Sequence, residues 1–141
     1  MSAPAVVVVR RRFAASPERV FDAWLDSERV ARFLFATPTG QIVRVEIDAR
    51  VGGRFLIVDR RPDVGEAEHY GRYVEIDRPR RLVFDFAVDQ HMKETTRVTI
   101  EITPHGSGCE LVLTHEGVPS DYAERTKGGW TMIVEGLEGA L

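Results

Sequence analysis

The order of helical and extended segments constrains the fold of this chain more than any other feature. A helical pattern opens at Ser16-Pro17-Glu18, and a second runs from about Ser120 to the C-terminus, while residues 41–116 form short alternating runs separated by turns. Successive strands joined by turns predict one antiparallel sheet of about six to seven strands. A sheet of this kind needs a cover for its inner face, and the terminal helix is the segment with sufficient length. We therefore expect an α+β fold with residues 1–141 in a single domain, in which a curved antiparallel sheet holds a long C-terminal helix.

The strands are predicted from β-branched runs and turn residues. The predicted strands cover residues 6–13, 41–49, 54–59, 70–76, 82–86, 98–102 and 109–115. Val51-Gly52-Gly53 predicts a hairpin turn, since glycine accepts the positive φ of tight turns. The segment from Arg61 to His69 is expected to be a loop over one end of the sheet. For Tyr70 and Arg72 the facing is ambiguous, because the apolar residues that follow them do not share one alternation.

Two short helices are expected after the first strand. Ser16 is predicted to cap the first of them, with Pro17 at a position where a missing N–H costs nothing. Asp26-Ser27 offers a cap for the second, over residues 30–35.

The terminal helix combines an apolar stripe with glycines. The stripe consists of Trp130, Ile133, Val134, Leu137 and Leu141. The glycines are Gly128, Gly129, Gly136 and Gly139, and each costs roughly 0.8–1.0 kcal/mol relative to alanine in a helix. We expect a close approach of the helix to the sheet near Trp130 as the reason, with a mobile gate at Gly128-Gly129 as the alternative.

Charge and composition exclude several classes of partner. The net charge is −3, from 19 basic and 22 acidic side chains, so no bulk field favours nucleic acid or an anionic membrane. No stretch approaches the ~18 apolar residues of a membrane span, and the N-terminus lacks the pattern of a signal peptide. The single cysteine, Cys109, excludes an internal disulfide and indicates a reducing compartment, so a cytoplasmic location is expected.

Six short motifs occur in a characteristic order. They are residues 13–24 (FAASPERVFDAW), 51–55 (VGGRF), 71–77 (GRYVEID), 79–84 (PRRLVF), 114–117 (THEG) and the pair Gly129-Trp130. In this order they resemble the START-like, helix-grip (SRPBCC) superfamily, and within it the branch similar to the activator of heat-shock-protein ATPase. The resemblance implies a sheet that grips a long helix. It also implies a cavity used for lipids, polyketides or other hydrophobic small molecules, and in some members for catalysis.

Two polar residues are predicted to face this cavity. Arg11 alternates in phase with Val9 and Phe13, and His115 alternates in phase with Leu111 and Leu113. They would orient a carboxylate or carbonyl of a ligand, because an unpaired charge is costly inside a protein. The alternative is that both lie at strand ends and reach water or an internal carboxylate.

The aromatic residues complete the predicted ligand-binding set, although aromatic side chains at such spacings are also ordinary core residues. The set is Arg11, Trp24, Phe35, Phe55, Phe84, Phe86, His115 and Trp130. The histidines lack the spacing of metal ligands, so we expect neither a metal nor a cofactor.

Three functions are compatible with this pattern. The first is a non-enzymatic binding protein for a hydrophobic or lipid-like small molecule. The second is an enzyme of the polyketide cyclase or dehydratase kind, with His115 or His69 as general base and Arg11 at an oxyanion. The third is a protein-interaction role like that of the co-chaperone branch. A homodimer is a possible assembly.

Overall fold

The structure is a computed structural model that describes residues 4–141. The elements in chain order are β1 (Pro4–Phe13), α1 (Pro17–Ala23), α2 (Ser27–Phe33), β2 (Gln41–Ile47), β3 (Arg54–Arg61), β4 (Gly65–Asp77), β5 (Arg81–Ala87), β6 (Thr96–His105), β7 (Gly108–Pro119), a 3₁₀ turn (Ser120–Tyr122) and α3 (Ala123–Ala140). The seven strands form one antiparallel sheet in the order β1-β7-β6-β5-β4-β3-β2. The predicted α+β class, with a sheet and a long C-terminal helix, is confirmed.

The strand order determines what covers the inner face. β1 and β2 lie at opposite edges of the sheet, so α1, α2 and the residues around them cross from one edge to the other. α3 packs chiefly against β1, β7 and α2. The terminal helix therefore covers one side of the inner face, and residues that follow α2 cover the other side.

Both short helices begin where the sequence predicts, whereas α2 ends at Phe33 and not at the predicted Phe35. The Oγ atom of Ser16 accepts a hydrogen bond from the backbone N–H of Arg19 at 3.2 Å, and Pro17 occupies the first turn of α1. Asp26 caps α2 through the N–H of Glu28 at 3.0 Å. These side chains satisfy backbone donors that have no partner within the helix.

The expected close approach at the helix glycines is wrong. A Cβ atom on Gly128, Gly129 or Gly139 would meet no atom within 4 Å, and one on Gly136 would lie 3.5 Å from the Cβ of Phe33, an ordinary contact. α3 buries Trp130 and the apolar residues one and two turns beyond it, while the glycines lie off that stripe. Packing therefore does not explain the glycines of α3.

The expected loop from Arg61 to His69 is also wrong. β3 continues to Arg61 and β4 begins at Gly65, with Asp59 opposite Ala67 and Ile57 opposite His69. The polar residues of this hairpin carry little local strand propensity. Their strand conformation comes from the cross-strand pairing with β3, which the local sequence does not reveal.

Two register shifts change the facing of side chains. A shift between Tyr73 and Glu75 makes Val74 an extra residue, so the alternation of β4 differs before and after it. Tyr70 and Arg72 consequently lie on the outer face, which resolves the ambiguity in the sequence. In β2, a shift between Ile42 and Arg44 leaves Val43 37% exposed, although its alternation predicts the same face as Val45.

Candidate ligand-binding site

Six ring side chains meet between the inner face of the sheet and α3, and we refer to them as the Phe35 cluster. They are Phe35, Phe55, His69, Phe86, His115 and Trp130. Phe35 is central, with its ring centroid 4.2 Å from that of His69, 5.2 Å from Phe86 and 5.6 Å from Trp130. Four of the rings belong to strands and one belongs to α3, whereas Phe35 comes from the chain that follows α2.

Phe35 is held by an unusual backbone. Its φ is 60°, in the left-handed region that costs a residue with a Cβ about 1–2 kcal/mol. α2 has ended by this point: the N–H of Leu34 still bonds to the carbonyl of Val30, and Leu34 itself is extended. The left-handed residue turns the chain so that the Phe35 ring reaches the sheet.

Asp59 anchors the residues beyond Phe35. Its carboxylate is fully buried and accepts hydrogen bonds at Oδ2 from the hydroxyl of Thr37 (3.0 Å) and from Nε of Arg61 (2.8 Å). A Cβ on Gly40 would lie 2.3 Å from Oδ1 of Asp59, so glycine permits the close approach. Segment 34–40 is thus tied to β3 at Thr37 and Gly40.

The two ring nitrogens of His69 differ in their hydrogen bonding. Its Nδ1 lies 3.1 Å from the carbonyl oxygen of Ile57, which only accepts hydrogen bonds, so Nδ1 carries the proton. Nε2 is then a lone-pair acceptor, without a hydrogen-bond partner among residues 4–141. Burial lowers the pKa of His69, opposed by the bond to the Ile57 carbonyl, so the ring is neutral at neutral pH.

His115 uses both of its ring nitrogens. The indole N–H of Trp130 donates to Nδ1 of His115 at 2.9 Å, so the proton of the imidazole is on Nε2, 2.7 Å from the hydroxyl oxygen of Thr96. Burial lowers the pKa of His115 to about 4. The neutral imidazole links α3 to the start of β6.

The structure brings five of the eight predicted site residues into the Phe35 cluster. These five are Phe35, Phe55, Phe86, His115 and Trp130. Phe84 contacts the cluster through Phe55, edge to face at 5.1 Å.

Two predicted site residues lie apart from the cluster. The ring of Trp24 packs against Phe33 at 5.1 Å. The guanidinium of Arg11 pairs with Glu138 near the end of α3, and its side chain is 34% exposed. His69 joins the cluster although it was outside the predicted set, because the ambiguous alternation of β4 hid its facing. The signal that could have found it is the alternation of His69 with Gly71 and Tyr73.

The rings of the cluster contact one another, and Phe86 is only partly buried. Grooves of about 470 Å³ and 550 Å³ open elsewhere, one on the outer face of β2 to β4 and the other beside β1 and α3. Neither groove is lined by Phe35, His69 or Trp130. The cavity expected from the sequence stays a prediction.

Two further properties bear on the site. Within residues 4–141, no group of three or more histidine, cysteine, aspartate or glutamate side chains is arranged to hold a metal ion. None of the described helices has both the length and the apolar character needed to cross a membrane.

The antiparallel sheet and the long terminal helix define an α+β protein of the helix-grip fold found in the SRPBCC superfamily. More narrowly, the chain belongs to the family described as Activator of Hsp90 ATPase homolog 1-like protein, whose family model matches residues 14–141. A search of curated proteins finds no match.

Solved structures agree with this fold. Protein CV1439 from Chromobacterium violaceum is 28% identical, with 95% of this chain and 94% of that chain covered and a TM-score of 0.85. Protein Mll3558 from Rhizobium loti is 25% identical, with 100% and 99% covered and a TM-score of 0.81. The AHSA1-like protein from Aeromonas hydrophila is 20% identical, with 96% and 91% covered and a TM-score of 0.83, a likeness of fold alone.

Proposed function

We propose that this chain binds a small, largely apolar molecule at the Phe35 cluster, between the sheet and α3. The observation that carries the proposal is which parts of the chain supply the six rings. Five come from strands or from α3, whereas Phe35 comes from a left-handed residue outside regular structure. Apolar walls with a few oriented polar groups are typical of small-molecule sites, and the SRPBCC fold commonly binds hydrophobic ligands.

Displacement of a bound hydrophobic dye, with native mass spectrometry for stoichiometry, tests this proposal. We expect one molecule bound per chain. Phe86→Leu should weaken binding about tenfold or more, because one or more kcal/mol of ring contact is lost at the site. Phe21→Leu is the matched control, since Phe21 is 1% exposed on α1 and outside the cluster. Equal weakening by both variants, or no binding by the parent protein, would contradict the proposal.

The second candidate function is an enzyme of the polyketide cyclase or dehydratase kind at the same site. His69 is favoured over His115 as its general base, because Nε2 of His69 is a free acceptor whereas both nitrogens of His115 are engaged. Pairing of Arg11 with Glu138 argues against Arg11 as the oxyanion contact. Turnover that His69→Phe abolishes while ligand binding persists would support this function. Turnover retained in His69→Phe would rule out this base.

The remaining expectations are also proposals for this chain. A co-chaperone-like interaction role would show as binding of a heat-shock-protein ATPase and stimulation of its ATP hydrolysis. A homodimer would show as twice the 15.9 kDa chain mass in sedimentation. A cytoplasmic location would show in cell fractionation.

A further inference from the structure

We propose that the Phe35 ring is an internal occupant of a stacking site for a planar aromatic ligand, and that the ring leaves this site when the ligand binds. The inference rests on the proposed function and deepens it. It names the ligand class as a flat conjugated ring system.

The geometry of three near-parallel rings supports the stacking site. The rings of His69 and Phe86 lie 6.1 Å apart with an angle of 18° between their planes. The Phe35 ring makes angles of 5° and 18° with them and lies closer to each than they lie to each other, at 4.2 Å and 5.2 Å. Phe35 therefore lies over both rings at once. Offset parallel stacking is a preferred arrangement of aromatic pairs, so a flat ligand can take the place of the Phe35 ring.

The backbone conformation at Phe35 supports the proposal that its ring leaves the stacking site. A φ of 60° is disfavoured for phenylalanine, and a change to the extended region would relieve this strain. The chain beyond is fixed, because Thr37 donates a hydrogen bond to the buried carboxylate of Asp59. The change of backbone conformation is consequently confined to the residues between the end of α2 and Thr37.

Isothermal titration with two bicyclic probes tests the inference on the parent protein. The probes are 2-naphthol and decahydro-2-naphthol, which lacks the flat ring. We expect 2-naphthol to bind at least roughly tenfold more tightly than decahydro-2-naphthol, since a missing stack costs about 1.4 kcal/mol or more. Binding of decahydro-2-naphthol as tight as that of 2-naphthol would overturn the planar site.

Substitution of Phe35 tests whether its ring is the internal occupant. Phe35→Gly removes the ring and accepts the left-handed backbone. We expect 2-naphthol to bind this variant roughly tenfold more tightly, because the site is no longer occupied by the Phe35 ring in part of the molecules. Phe35→Asn, which also tolerates this φ, is the second variant if the first melts early.

The outcomes distinguish the inference from the proposed function. If 2-naphthol binds the parent protein and Phe35→Gly equally, Phe35 is not the occupant and the inference fails. If the hydrophobic dye binds at the cluster but 2-naphthol does not, the inference fails while the proposed function survives. If neither the dye nor any of the probes binds the parent protein or Phe35→Gly, both fail.

Discussion

Gly71 determines how closely the ring of Phe55 lies on the sheet. A Cβ built on Gly71 would lie 1.9 Å from Cε2 of Phe55 and 2.2 Å from its Cζ, closer than atoms can approach. The ring cannot move freely, because it packs against Tyr73 at 5.7 Å and Phe84 at 5.1 Å. The small residue on β4 thus shapes the wall of the Phe35 cluster.

Gly71→Ala should lower the free energy of unfolding by about 1–3 kcal/mol, the typical cost of forcing extra volume into a packed core. Urea denaturation measures this change. Gly128→Ala is the matched control, because a Cβ there meets no atom within 4 Å. A loss of less than ~0.5 kcal/mol for Gly71→Ala would show that the Phe55 ring relaxes at little cost.

At the scale of elements, α3 carries glycines that its packing does not require. A Cβ on Gly129 meets open space, so Gly129→Ala should stabilise the protein by about 0.8–1.0 kcal/mol through helix propensity. Thermal and chemical unfolding measure this gain, and a lowered melting temperature would contradict it. Stopped-flow dye binding on the same variant tests a gate at Gly128-Gly129: slower association would favour the gate, and unchanged rates would exclude it.

Segment 34–40 depends on the bond between Thr37 and Asp59. Thr37→Val removes the hydroxyl that donates to this fully buried carboxylate, whose other oxygen has no hydrogen-bond partner within residues 4–141. We expect the free energy of unfolding to fall by about 1–3 kcal/mol, because the buried carboxylate loses one of its hydrogen-bond donors. Hydrogen exchange should accelerate at the amide of Gly40, which bonds to the carbonyl of Thr37 at 3.2 Å. Unchanged exchange there would show that other contacts hold the segment.

At the scale of the whole molecule, stability should depend on the neutral form of His115. Burial lowers its pKa from 6.5 to about 4 in the folded protein, so the unfolded chain binds the proton more readily between these values. Stability is therefore full above about pH 6.5 and falls as the pH is lowered towards 4, by about 3 kcal/mol in total. The lowered pKa of His69 acts in the same direction.

Urea denaturation at pH 7, 5.5 and 4.5 checks this dependence on His115. His115→Gln removes the titrating group and should flatten the profile, although it also alters the hydrogen bond with Trp130. His105→Gln is the control for the substitution itself, since His105 is exposed at the end of β6. If the unfolding free energy of His115→Gln depends on pH as strongly as that of the parent protein, His115 is not the source of the dependence.

Local sequence determined the elements of this fold and much of its inner face. Ser16 and Asp26 mark helix starts because capping is decided within three residues, and alternation places Phe84, Phe86 and His115 on the inner face. The motif order indicated the family, which the match over residues 14–141 confirmed. These features depend on neighbours along the chain, so the sequence alone carries them.

Tertiary structure decided the strand register and the contacts of the candidate site. The strand conformation of 65–69 and the register shift after Tyr73 arise from pairing with β3 and β5, and they bring His69 inward. Phe35 reaches His69 and Phe86 only because the chain after α2 crosses the inner face and turns at a left-handed residue. Arg11, near the start of the chain, pairs with Glu138, near the end of the chain. Contacts between residues far apart in sequence depend on register and packing, which local periodicity does not encode.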